Sequence, residues 1–527
     1  MFLLLLQQAW IGKEKSVENA QASVVNRIGG LGKIEKFQED QEVVVHTGKT
    51  AIHISLQGGA VTSALLTDFT RTLNSQEPFK MLSEDPEHLY ILQVGVSGDA
   101  DLTYTCPQKS YEMGPGNDQM VVVLHAKDEA GMVFEKRFIF FQDQYHFNVK
   151  TTVYNTTNSP WAGMHYARIL LRHDSPQPTL AKNIFVHPDD QTQGWLTLNT
   201  YTGPAYFSDS KSYVKVPFTE VEKKPLSRQI EKPGWIAMQQ RYFISALIPQ
   251  QTGKHVLTAT WQSGTANTTD TLARNLFKFS SVGAQISLDP GEKSSEVTTI
   301  YTGPEDAKRL AALAKGLELT VDYGWLWFIS DILFQGLVWV HSGLGNWGLS
   351  IIVSTFLVKL AFYRLSATGY ATMAKQKKIQ GKIDTINKKF KDNPEQKNKE
   401  NWALYRKESI NPFLVILPTL LQIPFFIALY YVLIESVQLR FQPFLWIPDL
   451  SSKDPFFILP ALFFLSMLGM QSMSPVTHES ESQVNAQLAV PFVVGIMCAQ
   501  MPAGLLLYWI TNNALTMLQQ WVFMQNQ

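Results

Sequence analysis

A lysine inside an apolar run is the residue of this chain with the plainest chemical demand. Residues Gly348 to Leu365 are nearly all apolar and about long enough, with some tilt, to cross a bilayer, yet Lys359 sits among them. A cation in hydrocarbon is costly unless it snorkels, pairs or faces water, so such a lysine marks a functional site by default. Thr355 precedes it by one helical turn and shares its face, Tyr508 and Asn512 share a face of a later apolar segment beside Trp509, and Gln422 lies in a third. The chemistry on offer is electrostatic: attraction of negative charge and hydrogen bonding to polar chain in a wet, lipid-bounded groove. Two blander accounts compete. Lys359 is five residues from Arg364, about 7.5 Å along a helix axis, and its stem can lift the ammonium to the interface. Gln422 and Asn512 can be interhelical glue worth roughly 1 kcal/mol or less each. Glue explains the lysine poorly, because no Asp or Glu lies within the apolar segments to pair with it.

The elements that hold these residues occupy the last third of a chain that joins two chemically different halves. Net charge is zero over 527 residues, which gives no reason to expect nucleic-acid sequence recognition, and the two cysteines, Cys106 and Cys498, form no disulfide framework. Residues 1–12 are an apolar run too short to span and without a basic leader, read as the trailing half of an N-terminal anchor; a short buried segment is the competing reading. From about 40 to 300, within a domain bounded at 25–303, the pattern has period two, as in EVVVHT, MVVVLHA and YHFNVKTTVYN, with turn residues between the runs. This predicts a large antiparallel β-sandwich. Its histidines, among them His125, His146, His165, His173 and His187, show no metal-ligand spacing, and no nucleophile elbow, phosphate loop or paired-carboxylate motif stands out. The domain reads as a binding or scaffolding module, and neither cofactor nor metal is expected.

Residues 304–345 combine a connecting helix with a Trp-rich amphipathic one, in which Asp331 and Gln335 share a face; an interfacial helix is expected and a span is the rival. Apolar segments at 348–365, 412–434, 456–473, 488–503 and 504–523 predict five spans within a membrane domain of 346–527. Between Ser366 and Ile410 eleven Lys/Arg face five acids, a surplus of six, which places this loop in the cytoplasm, with the β-domain outside and the C-terminus inside. The loop reads as a helical hairpin broken at Asp392 to Pro394. A solvated hairpin is the bland reading; the sharper one is a docking site for a partner or for anionic headgroups, carried by Lys375, Lys377, Lys378, Lys382, Lys388 and Lys389.

The order of these parts, with the strings GNWGLSII, NPFLVILPTLLQIPFFIALYYVL, DPFFILPALFFLSMLGMQSMSP and MPAGLLLYWITNNALTMLQQ, resembles the YidC family of bacterial membrane-protein insertases. GWIAMQQRYFISALIP resembles the periplasmic domain of its Gram-negative members, and the likeness covers almost the whole chain. The resemblance implies a periplasmic β-super-sandwich similar in fold to sugar mutarotases, and five core helices around a hydrophilic groove in the inner membrane. It also implies nascent membrane proteins as clients, taken in alone or beside the Sec translocon, with the ribosome or the signal recognition particle receptor meeting the cytoplasmic hairpin. The sequence departs from the family pattern in several places. Lys359 stands where arginine is usual, keeping the charge but not the planar fork. Arg364 stands where proline is common and offers a second cation nearer the water. Tyr508 and Trp509 replace a tyrosine pair, NPFLVI lacks the usual glycine pair, and no basic tail to contact a ribosome follows the last helix.

Two other classes of function compete. Broken helices with an intramembrane charge suggest a small-solute or ion transporter, against which stand the lack of an internal repeat and of an acidic coupling residue. A membrane-tethered sugar enzyme rests on fold analogy alone.

Overall fold

The computed structural model describes residues 41–85, 88–114, 116–172, 201–232, 234–250, 253–262, 275–391, 393–411, 413–473 and 481–525. The expected anchor at 1–12, the first part of the expected β-domain, and His173 and His187 lie outside the described residues. The described residues divide into two compact units, with the boundary between Val321 and Asp322.

The first unit is a β-sandwich. Among the described residues it holds a ten-stranded and an eight-stranded sheet. Pairing is antiparallel except where Val44–His46 runs parallel to Ser110–Glu112. Period-two sequence produces the layers directly: Gln119–Lys127 alternates buried Val122, Leu124 and Ala126 with more exposed neighbours. The inward rows meet in an aromatic core that includes Phe134, Phe138, Phe147, Phe277 and Phe279, each 2 % exposed or less. The core also contains an ion pair, Lys136 Nζ to Asp99 Oδ2 at 2.9 Å, and the same ammonium donates to the carbonyls of Gly58 and Val94. With three partners the charge is satisfied, which makes its burial tolerable. A short helix, Ala307–Leu313, capped by the Asp306 carboxylate, leads out of the last strand.

The second unit is helical: α1 Trp327–Leu344, α2 Trp347–Ala361, α3 Tyr363–Lys378, α4 Gln380–Lys389, α5 Pro394–Lys407, α6 Phe413–Glu435, α7 Ile458–Met473, α8 Glu481–Cys498 and α9 Ala503–Gln525. α9 packs against α2, α3 and α7, while α6 packs against α1 and α3. Boundaries follow cap chemistry. Gly345, at φ 64°, ends α1 in the left-handed conformation, and the Asn346 side chain accepts from Leu349 N to begin α2. Asn393 caps α5, with Pro394 in its first turn.

Two expectations need adjustment. The apolar run 348–365 is not one helix: α2 stops at Ala361, and the axis bends by 73° between Trp347–Ala361 and Ser366–Lys378. Arg364 and Ser366 therefore belong to α3, whose first turns are apolar enough to have masked the break in the sequence. The first helix of the expected hairpin is also interrupted, at Ile379, so that α3 and α4 are separate and the hairpin proper is α4 and α5 around Ile379, Ile383 and Ile410. Among the described residues no single helix is long and apolar enough to cross a membrane, whereas the bent pair of α2 with the later part of α3 meets that length and composition.

Candidate functional site

Lys359 lies in the last turn of α2, half-buried, and its Nζ donates to Thr516 Oγ1 on α9 at 2.8 Å and reaches Gln422 Oε1 on α6 at 3.5 Å. The Thr516 hydroxyl in turn donates to the Asn512 carbonyl at 2.7 Å, so its lone pair is aimed at the ammonium. A cavity of about 420 Å³ opens here, large enough for several waters or a short stretch of chain. Lys359, Gln422, Asn512, Asn513, Thr516 and Gln520 provide its polar wall. Much of the remaining lining is soft and apolar, from Met373, Met467, Met470, Phe426 and Phe463. Among its described lining residues there is one cation and no carboxylate, so the field in the cavity is positive and unneutralised by its own walls.

Of the residues singled out from sequence, Lys359, Gln422, Trp509 and Asn512 meet at this cavity. Trp509 stacks between Phe426 at 4.8 Å and Phe463 at 4.9 Å, which fixes one side of it. Tyr508 is buried and lies 6.4 Å from Phe426, just behind that stack. Thr355 does not reach the cavity: its hydroxyl turns back to the Ile351 carbonyl at 2.6 Å in a buried helix contact. Arg364 is exposed on α3 and does not line the cavity either.

The six hairpin lysines, Lys375, Lys377, Lys378, Lys382, Lys388 and Lys389, are all exposed. Lys382 pairs with Glu408 at 2.7 Å across α4 and α5, and Lys389 lies over the Phe390 ring. The first three continue the helix that carries Tyr370 and Met373 into the cavity wall, so cavity and basic surface are positioned by one element.

Thr516, Asn513, Gln520 and the three methionines were not singled out from sequence. A signal for some of them existed: Tyr508, Asn512, Thr516 and Gln520 repeat every four residues along α9, and that stripe extends two turns beyond its first pair. The methionines carry no such signal, because an apolar residue in an apolar helix looks the same whether it faces lipid or a cavity.

Residues 42–336 match the family description "YidC periplasmic domain" and residues 339–527 match "60Kd inner membrane protein". A membrane protein insertase YidC of Coxiella burnetii is 37% identical over 506 residues, covering 95% of this chain and 86% of that one. The insertase YidC of a Marinomonas species is 34% identical over 498 residues, with 93% and 86% covered. This chain belongs to the YidC family. The 60Kd description places it among inner membrane proteins, and the periplasmic-domain description covers the β-sandwich unit. Among solved structures the chain is similar to an active YidC insertase with its first transmembrane domain resolved, at 15% identity and a TM-score of 0.39, covering 96% of this chain and 98% of that one. So low a score carries no argument about the arrangement of parts.

Proposed function

We propose that this protein inserts transmembrane segments of client proteins into the inner membrane, alone or beside the Sec translocon, by admitting their polar flanks to the Lys359 cavity. The observation that supports this reading is the single half-buried ammonium, hydrogen-bonded to α9 and α6, in a cavity whose described walls hold no opposing carboxylate. A positive, hydrated recess attracts acidic residues of a translocating segment and lowers the cost of taking polar chain out of bulk water. The methionine wall suits varied apolar sequences, since unbranched thioether chains repack around different shapes. Partition of the client helix into lipid, with the membrane potential acting on its acidic charges, supplies the driving force. Bonds are neither made nor broken in this scheme.

In the topology we propose, the β-domain is periplasmic, α1 lies in the interface, and five crossings follow from α2 onward. The α4–α5 hairpin and the C-terminus are then cytoplasmic. The charge surplus of the 366–410 segment supports this orientation, as does the row of exposed apolar side chains Trp327, Ile332 and Trp339 on α1. The exposed hairpin lysines are offered to a ribosome, a signal recognition particle receptor or anionic headgroups. Domain limits of 1–12, 25–303, 304–345 and 346–527 belong to the same proposal.

Reconstituted insertion assays test the central claim. Lys359→Glu is expected to impair clients with acidic outer tails more than clients with neutral ones, while Lys359→Arg supports both. Equal insertion of the two client classes by the glutamate variant removes the electrostatic role. A transporter reading would need a coupling carboxylate, and nothing in the described cavity favours it.

A further inference from the structure

The ten-stranded sheet carries a polar row on the face turned away from the sandwich core. Cross-strand register places Thr258, Ser280, Arg168 and Gln93 directly beside one another on four adjacent strands, so their side chains share one face. The alternate face at this level is apolar, with Leu257, Ala259, Phe279 and Ile169 essentially fully buried in the core. The polar row is buried as well: Thr258, Ser280 and Gln93 are 5, 7 and 9 % exposed and Arg168 only 4 %.

Arg168 is the anomaly in this row. Its guanidinium lies 4.5 Å from the Tyr166 ring, which fixes its plane, yet its Nε and Nη2 hydrogens have no hydrogen-bond partner. Those two groups form the edge of the guanidinium that grips an oxyanion with two parallel hydrogen bonds. Leaving both empty in the interior costs several kcal/mol, which native interiors rarely accept without a ligand or water. No carboxylate of the described residues pairs with it, and Asp99, which the neighbouring Tyr166 hydroxyl reaches at 2.8 Å, is already held by Lys136 at 2.9 Å. A second cation adds to the imbalance. Lys278, beside Leu170 on the same face and one step along from Arg168, is half-buried, and burial together with the Arg168 charge pushes its ammonium below the ordinary lysine range. Two cations thus sit close enough to repel each other, and no carboxylate of the described residues pairs with either. The third unmet group is an acceptor, the Gln93 carbonyl oxygen, in register with Arg168.

We propose that this face of the β-domain is a binding site for a phosphate group, gripped by the Arg168 fork, drawn in by Lys278, and with a hydroxyl of the phosphate donating to Gln93. The geometry answers each unmet group once: two donors on the guanidinium take two phosphate oxygens, and the acceptor takes the proton that monohydrogen phosphate keeps near neutrality, or that a bound phosphate monoester takes up from solvent, its second pKa lying at about 6. Half-buried Thr260 and Lys278 form the open end of the row, through which the group enters. The site lies entirely within the β-unit and does not depend on the insertion reading of the helical unit.

Calorimetric titration of the full-length protein in detergent, in a buffer free of other oxyanions, tests the proposal with inorganic phosphate and with sn-glycerol 3-phosphate. Saturable one-to-one binding of at least one of them is expected. Arg168→Lys, which keeps the charge and loses the fork, should weaken it about tenfold or more, the worth of a charge-assisted hydrogen bond. Lys278→Gln, at a half-buried position outside the fork, should weaken it several-fold with the thermal midpoint of the apo protein unchanged, and so serves if the buried variant does not fold. Tighter binding of inorganic phosphate assigns the site to the free ion, and equal or tighter binding of the ester assigns it to an esterified phosphate such as a headgroup. If neither probe binds saturably, or if both variants bind as the wild type does, water satisfies Arg168 and the proposal falls.

Discussion

The ammonium of Lys359 donates one strong and one weak hydrogen bond, the strong one to Thr516, whose own hydroxyl is pinned to the Asn512 carbonyl. A lysine has a flexible stem and three rotatable donors, so a single fixed acceptor decides where its charge rests. Thr516→Val removes that acceptor at nearly constant volume. It is expected to lower insertion of acidic-tailed clients several-fold while leaving neutral clients close to wild type, and Thr516→Ser should restore the difference. Loss of both client classes together would instead mark Thr516 as packing. At this scale the sequence was informative wherever a residue was out of character. Lys359, Gln422 and Asn512 announce themselves in apolar runs, whereas Thr355 made the same signal and turned out to bond its own helix. A hydroxyl can satisfy itself locally at i−4, whereas this ammonium, at the end of a four-carbon stem, finds its acceptors on neighbouring helices.

Among the elements, the loop between α6 and α7 shows how short polar knots set the helices that flank them. The Asp454 carboxylate is fully buried and accepts from Leu459 N at 2.6 Å, Phe456 N at 3.1 Å and Trp446 Nε1 at 3.2 Å. It therefore caps the start of α7 and anchors the loop tip together. Asp454→Ala leaves the three donors without a partner and is expected to cost about 2–4 kcal/mol, read as a lowered unfolding midpoint of the helical unit followed by tryptophan fluorescence in detergent. Asp454→Asn should recover part of it, because one amide oxygen still accepts. A loss under about 0.5 kcal/mol, the range of an ordinary surface change, would contradict the assignment. Helix positions were largely legible from apolar length and from the break at Asp392 to Pro394, where Asn393 caps α5. The break at Phe362 was not, since no proline or glycine marks it and apolar residues continue on both sides.

For the molecule as a whole, pH acts on the β-unit through groups that the fold buries. Burial raises the Glu296 carboxyl to about 7, and lowers His165 and His255 to about 4 each. Glu296 Oε2 has no hydrogen-bond partner and lies 3.8 Å from His165 Nδ1. Between the ordinary carboxyl value and about 7 the folded state keeps a proton on Glu296 that the unfolded chain has released, so this group makes stability fall as pH rises. The histidines act in the opposite sense: between about 4 and the ordinary imidazole value the unfolded chain takes up protons that the folded state refuses, so stability falls as pH falls. Glu296→Gln is therefore expected to raise the unfolding midpoint at pH 8, by up to about 3 kcal/mol in stability, and to change it little at pH 5. An equal effect at both values would show that charge burial is not the cause.

The sequence by itself determined the two-part architecture, the β-sandwich, the succession of apolar helices, the basic segment between them and the family. Each of these is carried by local periodicity, by composition or by motif strings that survive without knowledge of any contact. Tertiary structure alone decided that Thr516, Gln520 and three methionines join Lys359 around one cavity, that Thr355 and Arg364 stand apart from it, and that Arg168 is left with an empty fork on a buried sheet face. The reason is the same in each case. Periodicity tells which side chains share a face, but which faces meet, and which polar groups are left unmet when they do, depends on pairings between segments far apart in the chain.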